Sequence, residues 1–372
     1  MNNDFSKTKK TGDSEGGKIG AFIVPTGIGA SIGGYAGDAS TWARRFAEHV
    51  TLIVNPNVVN AGGFSGITEN MLYVEGYSLD EFFKGKISLQ PSKKNKIGVV
   101  FDKSISEEVL NIHINTINAV KTVYDVDVIG YEITRQEVGV DFFVDESNVS
   151  TGKVKNITTL LESCQKLIKA GAEAIALVCK FADDNGNQDY ANGIGVDPIG
   201  GVEAIISHYI SRELQIPTAH APAFDDFSIS TEIVNPKASS EYITPTFLPC
   251  ILLGLNNAPK IVKSEKEKVK GGNVNELGMA KSDESAETSF PPSLVPLHSS
   301  PNVNISDLDF LVMPYNAIGS TPVFEAVKRG IKVFAVKENE TILNVTNVSL
   351  SIESGIIQVE NYEKCLELIK EL

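Results

Sequence analysis

Short apolar runs alternate with stretches of helical periodicity along most of this chain. Ile19–Val24 is a brief apolar run closed by Pro25, which predicts a buried strand. Thr41–His49 reads as a helix that Asp38 or Ser40 can cap, with Trp42 and Phe46 four apart on one face. Thr51–Val54 predicts a second strand ending at Asn55-Pro56-Asn57, and the polar stretch Gln90–Lys96 marks a boundary. The clearest βαβ pattern follows: strand Ile97–Phe101, helix Ser106–Tyr124 and strand Val126–Tyr131. Helix Ile157–Ala170 stops at Gly171 and leads to strand Ala174–Cys179, and helix Val202–Leu214 leads to the segment ending at His220. The last third repeats the unit with strand Asp309–Met313, helix Pro322–Arg329, a stop at Gly330 and strand Lys332–Val336. This spacing predicts an α/β fold built on a mostly parallel, Rossmann-like sheet with helices on both faces, in one lobe or two.

Two stretches break the rhythm. Residues 1–18 are rich in Lys, Asn, Ser and Gly and read as a flexible tail. Residues 263–304 carry a charged run, Gly271-Gly272, a Ser/Glu segment and Pro291-Pro292, the composition of a disordered insertion. Between them lie an amino-terminal α/β segment (19–95), a central βαβ region (96–262) and a carboxyl-terminal α/β segment (305–372). Ile19–Gly37 contains no charged residue, yet six glycines and Pro25 interrupt it, so a buried strand with a glycine-rich loop fits better than a membrane span.

Composition narrows the function. With 47 acidic against 33 basic side chains the formal net charge is −14, which argues against nucleic-acid or anionic-membrane partners. Four cysteines without a CxxC pair argue against a zinc ribbon or a disulfide scaffold, leaving a soluble, cytoplasmic protein as the expectation. The apolar content leaves room for association into a homo-oligomer.

Three strand-to-helix junctions share one chemical style. They are Pro25–Gly34 with Thr26, Gly27, Gly29, Ser31, Gly33 and Gly34, then Gly193–Gly201 with Gly200 and Gly201, then Pro314–Pro322 with Asn316, Gly319, Ser320 and Thr321. Small residues let backbone N–H groups approach a ligand, and the following helix offers its positive end, so the three loops predict a site for phosphate or carboxylate. In a parallel sheet such loops converge on the carboxyl edge. Asn60 and Lys180 border the same edge and complete the expected ligand-binding set. No named fingerprint is met: Ile32 breaks GxGxxG, and GxxxxGK[ST] and GxSxG are absent. The cofactor therefore stays open, and no metal site is assigned.

Catalytic candidates sit at strand ends. His220, with Asp225 and Asp226 behind it, suits an acid/base pair, and Cys179 suits a nucleophile or proton carrier beside Lys180. Asp197, Asp225 or Asp226 would suit magnesium, though nothing in their spacing requires it. Asp183–Asp189 imitates the start of a calcium loop but lacks the closing glutamate, so a solvated turn is the simpler reading. His49, His113, His208 and His298 read as surface positions, and Cys164 and Cys365 as packing.

Gly20–Ala30, Asn57–Ala61 and Pro314–Ala326 resemble an uncharacterised family, a domain of unknown function found in cyanobacteria and plastid-bearing organisms. The resemblance runs from about Lys18 to the end outside the insertion and transfers no catalytic residue. Ser320–Ala326 with Gly330–Val333 is also similar to the donor-phosphate helix of two-domain glycosyltransferases, which would imply a nucleotide-sugar-dependent transferase. The expectation is an enzyme acting on a small phosphate- or carboxylate-bearing metabolite, with a non-catalytic metabolite-binding or regulatory protein as the alternative.

Overall fold

A computed structural model describes residues 17–182, 188–225, 229, 231–264, 301–352 and 354–372. Two parallel sheets organise them. The larger has six strands in the spatial order Ile356–Val359, Lys332–Val336, Phe310–Pro314, Ile19–Phe22, Thr51–Val54 and Met71–Tyr73. The smaller has four, in the order Thr218–Ala223, Ala174–Lys180, Ile97–Phe101 and Val128–Ile133. The amino- and carboxyl-terminal segments thus share one sheet: Gly20, Ala21 and Phe22 pair in register with Phe310, Leu311 and Val312.

The pleat explains why both sheets read as continuous apolar runs. Phe22 and Val24 face one side, where they pack with helices Ser40–Ala47 and Tyr362–Glu371. Ala21 and Ile23 face the other, toward helices Gly76–Phe83 and Thr321–Lys328. Helix Leu248–Asn256 is apolar nearly all round because it is buried in a core that takes residues from both sheets. Two glycines set close approaches. A Cβ on Gly20 would lie 2.1 Å from the Phe310 ring, and one on Gly201 would lie 1.9 Å from the Ser150 carbonyl oxygen.

Several local expectations change. The first helix begins at Ser40 after Ala39, with no side-chain cap, because Asp38 turns back to accept the Gly33 N–H at 2.7 Å. Ser320 likewise precedes its helix without a side-chain cap, while Pro322 does occupy the first turn. Ser106 caps helix Glu107–Tyr124 through the Val109 N–H. The strand expected at Val126–Tyr131 runs Val128–Ile133. An antiparallel hairpin, Val140–Val144 with Ser150–Val154, has no counterpart in the sequence reading.

The edges of the expected insertion belong to the body. Lys260–Lys263 pairs with Ile87–Gln90, and Val303 exchanges backbone hydrogen bonds with Leu89. Residues 265–300, 1–16 and 183–187 lie outside the described residues, and with them most of the expected insertion, tail and calcium-like turn.

Candidate functional site

The larger sheet reverses its strand order at Ile19–Phe22 and Phe310–Pro314, so the carboxyl edge there is open. A cavity of about 390 Å³ occupies this edge, with Thr26 from the first glycine loop and Ser320 from the third among its walls. The smaller sheet contributes His220, and helix Gly200–Leu214 contributes Glu203, Ser207 and His208. Helix Gly76–Phe83 brings Asp80, with Glu75 at its N-cap, and segment 239–242 brings Glu241.

The electrostatics differ from the expected anion cradle. Five carboxylates line the cavity, those of Glu75, Asp80, Asp197, Glu203 and Glu241, and no lysine or arginine joins them among the described lining residues. Several of these acids take the donors that a ligand anion would use. Glu75 accepts from the N–H groups of Tyr77 and Ser78, Asp197 from that of Ile199, and Glu241 from that of Ala36 at 2.6 Å. The glycine loops are also engaged internally: Ser31 N–H donates to the Glu340 carbonyl, Ile32 N–H to Asn339 and Gly201 N–H to the Ser150 hydroxyl.

The centre is built around His220. Ser207 donates its hydroxyl proton to the carbonyls of Glu203 or Ala204, one helical turn back. His220 Nδ1 lies 3.0 Å from that hydroxyl oxygen, and in the tautomer that donates to it Nε2 carries the lone pair. Nε2 faces Glu203 Oε2 at 3.6 Å, beyond a direct hydrogen bond, and Glu203 Oε1 is buried without a partner. Burial pulls His220 down to about 4, so the ring is neutral near pH 7. Burial, then Asp197 and Glu241, pushes Glu203 well above the usual carboxylate range. His208 behaves oppositely: burial pulls it down, but a 3.0 Å contact with Glu75 raises it overall.

A second pole of the cavity is aromatic. Tyr35 stacks on Tyr190 with ring centroids 4.6 Å apart, and the Tyr190 hydroxyl donates to Glu241 at 2.9 Å. The Tyr35 hydroxyl is buried without a partner. Burial and Asp197 push Glu241 up to about 8.

Of the residues singled out from sequence, Thr26, Gly34, Asn60, Gly200, Ser320 and His220 line the cavity. Gly27, Gly29, Ser31, Gly33, Gly201, Gly319 and Thr321 flank it without lining it. Asn316 is a buried tie to the Thr341 and Leu343 carbonyls. Lys180 pairs with Asp225 at 2.6 Å, away from the cavity wall, and Asp226 lies outside the described residues. Cys179 is a buried core residue whose thiol burial pushes well above its ordinary value, opposite to what a nucleophile needs. Cys250 does line the cavity, but burial pushes its thiol up to about 12. Of the histidines read as surface, His113 is buried and His208 lines the cavity.

Sequence reading missed Glu203, His208, Glu241 and the tyrosine pair. One signal was present: Glu203, Ser207 and Ser211 recur every fourth residue as a polar stripe, and all three are buried.

A family profile described as a protein of unknown function (DUF3326) matches residues 20–371. The chain belongs to that family. The chain is also 37% identical over 335 residues to an uncharacterized lipoprotein of a Synechococcus strain, covering 89% of this chain and 84% of that protein. No solved structure matches. Among the described residues no helix is long and apolar enough to cross a membrane.

Proposed function

We propose that this DUF3326 protein is an enzyme that moves a proton on a small polar metabolite held in the cavity, with His220 as base and Glu203 as acid. The observation that carries this reading is the Glu203–His220 pair itself. Two titratable groups face each other across 3.6 Å, and burial pushes each toward its neutral form. A neutral imidazole with a free Nε2 accepts a proton, and a carboxyl that keeps its proton donates one. Ser207 is a positioning residue that fixes the imidazole tautomer.

The lining bears on the ligand. A phosphate or carboxylate would meet five carboxylates and no lysine or arginine, so a neutral or cationic metabolite suits the cavity better than the anion suggested by the glycine loops. The same lining weighs against a nucleotide-sugar donor, whose diphosphate needs cations or open backbone donors. Four free, buried thiols support a reducing, cytoplasmic setting.

The test has two stages. Thermal-shift screening of neutral, cationic and anionic metabolites identifies a ligand, and turnover of that ligand is then followed by NMR. His220→Ala and Glu203→Gln are expected to keep binding while lowering turnover roughly 10²–10⁴-fold. A ligand that binds but is never converted by the wild type would favour the non-catalytic binding protein instead.

A further inference from the structure

The cavity's two poles differ in a way that specifies the ligand further. At one end His208, raised by Glu75, has its charged form favoured, unlike His220. At the other, Asp197, Glu203 and Glu241 lie close enough that Asp197 and Glu241 both raise Glu203, and Asp197 raises Glu241. Lys237 lies near that end. It sits 5.9 Å from the Tyr35 ring centroid and donates to the Ser31 carbonyl, outside the cavity lining. Among the described lining residues neither a lysine nor an arginine faces Glu203 and Glu241.

Two further observations point to an absent partner. Glu203 is 7% exposed and its Oε1 accepts no hydrogen bond. Tyr35 is 4% exposed and its hydroxyl has no partner either. Buried polar atoms are normally satisfied, and these two orphans leave a carboxyl oxygen that accepts and a phenol hydroxyl that accepts or donates for a ligand to complete. The stacked Tyr35 and Tyr190 rings add aromatic surface at the same end, which favours a cation. Among the described residues no three His, Cys, Asp or Glu side chains converge to hold a metal ion. The aromatic surface and the single orphaned carboxyl oxygen suit an organic cation.

We infer that the Tyr35, Tyr190, Asp197, Glu203 and Glu241 pole is an ammonium subsite, so that the metabolite bound in this cavity is an amine. This rests on the reading of the cavity as the substrate site. An alkylammonium brings three N–H donors, and Glu203 Oε1 accepts one of them even while the proton of that carboxyl sits on Oε2, the oxygen that faces His220. It would set the amine beside Glu203, within reach of the proposed acid–base pair.

A matched four-carbon series tests the inference on the full-length protein by calorimetry at neutral pH. The probes are 1,4-diaminobutane, 1,4-butanediol and succinate, which share a skeleton and differ in charge. The diamine is expected to bind at least about tenfold tighter than the diol, and succinate not at all. Glu241→Gln and Tyr35→Phe should each weaken the diamine by about tenfold and leave the diol unchanged. Tyr35→Phe removes a hydroxyl that has no hydrogen-bond partner among the described residues, so it keeps the test sound if Glu241→Gln perturbs folding. Equal binding of diamine and diol, tighter binding of succinate, no binding of any probe, or unaltered affinity in both variants overturns the inference. His220→Ala is expected to retain diamine affinity. If the diamine fails while His220 and Glu203 control turnover of some other ligand, the ammonium subsite falls and the acid–base reading stands.

Discussion

A serine that only packs and a serine that sets a tautomer look alike in a sequence, and Ser207 shows what separates them. With its proton on the helix carbonyls behind it, its oxygen accepts from His220 Nδ1, the arrangement that the proposed base requires. Ser207→Ala removes that acceptor and lets the ring adopt the other tautomer, with the proton on Nε2. Turnover is expected to fall roughly 10²-fold with KM nearly unchanged. Ser207→Thr, which restores a hydroxyl, should recover part of the loss, and a Ser207→Ala enzyme with wild-type kcat would refute the assignment. His220 itself was legible as a lone polar residue after Pro217-Thr218-Ala219, although it lies inside strand Thr218–Ala223 and not at the strand end expected from sequence. Glu203 was not, because an acid in the first turn of a helix is ordinarily a solvated partner of the helix dipole. Only the packing of that turn against the cavity distinguishes the two. Cys179 misled for the converse reason: its place at a strand end was right, but its side chain points into the core formed with helix Ile157–Lys169.

At the scale of elements, what could be read followed from burial on both faces. The strands beginning at Ile19, Ile97, Ala174 and Phe310 sit inside parallel sheets and therefore form unbroken apolar runs. The hairpin Val140–Val144 with Ser150–Val154 escaped because its apolar residues do not alternate cleanly: Val140 and Phe142 pack inward while Phe143 and Val144 are exposed. That hairpin matters to the site, since its Ser150 accepts the Gly201 N–H and donates to the Pro198 carbonyl, anchoring the start of helix Gly200–Leu214. The second glycine loop thus serves close packing more directly than ligand contact. Gly201→Ala would drive a methyl into the Ser150 carbonyl and is expected to destabilise the fold by roughly 1–3 kcal/mol. Chemical denaturation measures this, and a loss below about 0.5 kcal/mol would show that the helix start can back away. Ser106→Ala, which deletes only a helix cap, should cost about 1 kcal/mol by the same measurement.

The whole molecule places an acid-rich cavity beneath a chain that already carries a net charge of −14, and this arrangement sets its response to pH. His220 falls from the usual 6.5 to about 4 on folding. Below 6.5 the unfolded chain takes up a proton that the native ring refuses, so this contribution is lost as pH falls toward 4. Glu241 rises from the usual 4.5 to about 8, first through burial and then through Asp197. Its native state holds a proton that the unfolded chain has released, so its contribution is fully present below 4.5 and is lost as pH rises through 8. Glu203, raised for the same reasons, acts in the same direction. Above pH 6.5 the His220 contribution levels off within about one unit, while the raised carboxylates make stability decline toward pH 8. Glu241→Gln keeps an oxygen to accept from Ala36 and Tyr190 but cannot ionise, so its decline over that window should be shallower than the wild type's. Urea midpoints at pH 6.5, 7.2 and 8.0 compare the two slopes directly. Parallel slopes would mean that Glu241 is already ionised in the native cavity. A saturating amine should flatten the wild-type slope as well, because a bound ammonium replaces the protons that the carboxylates otherwise keep.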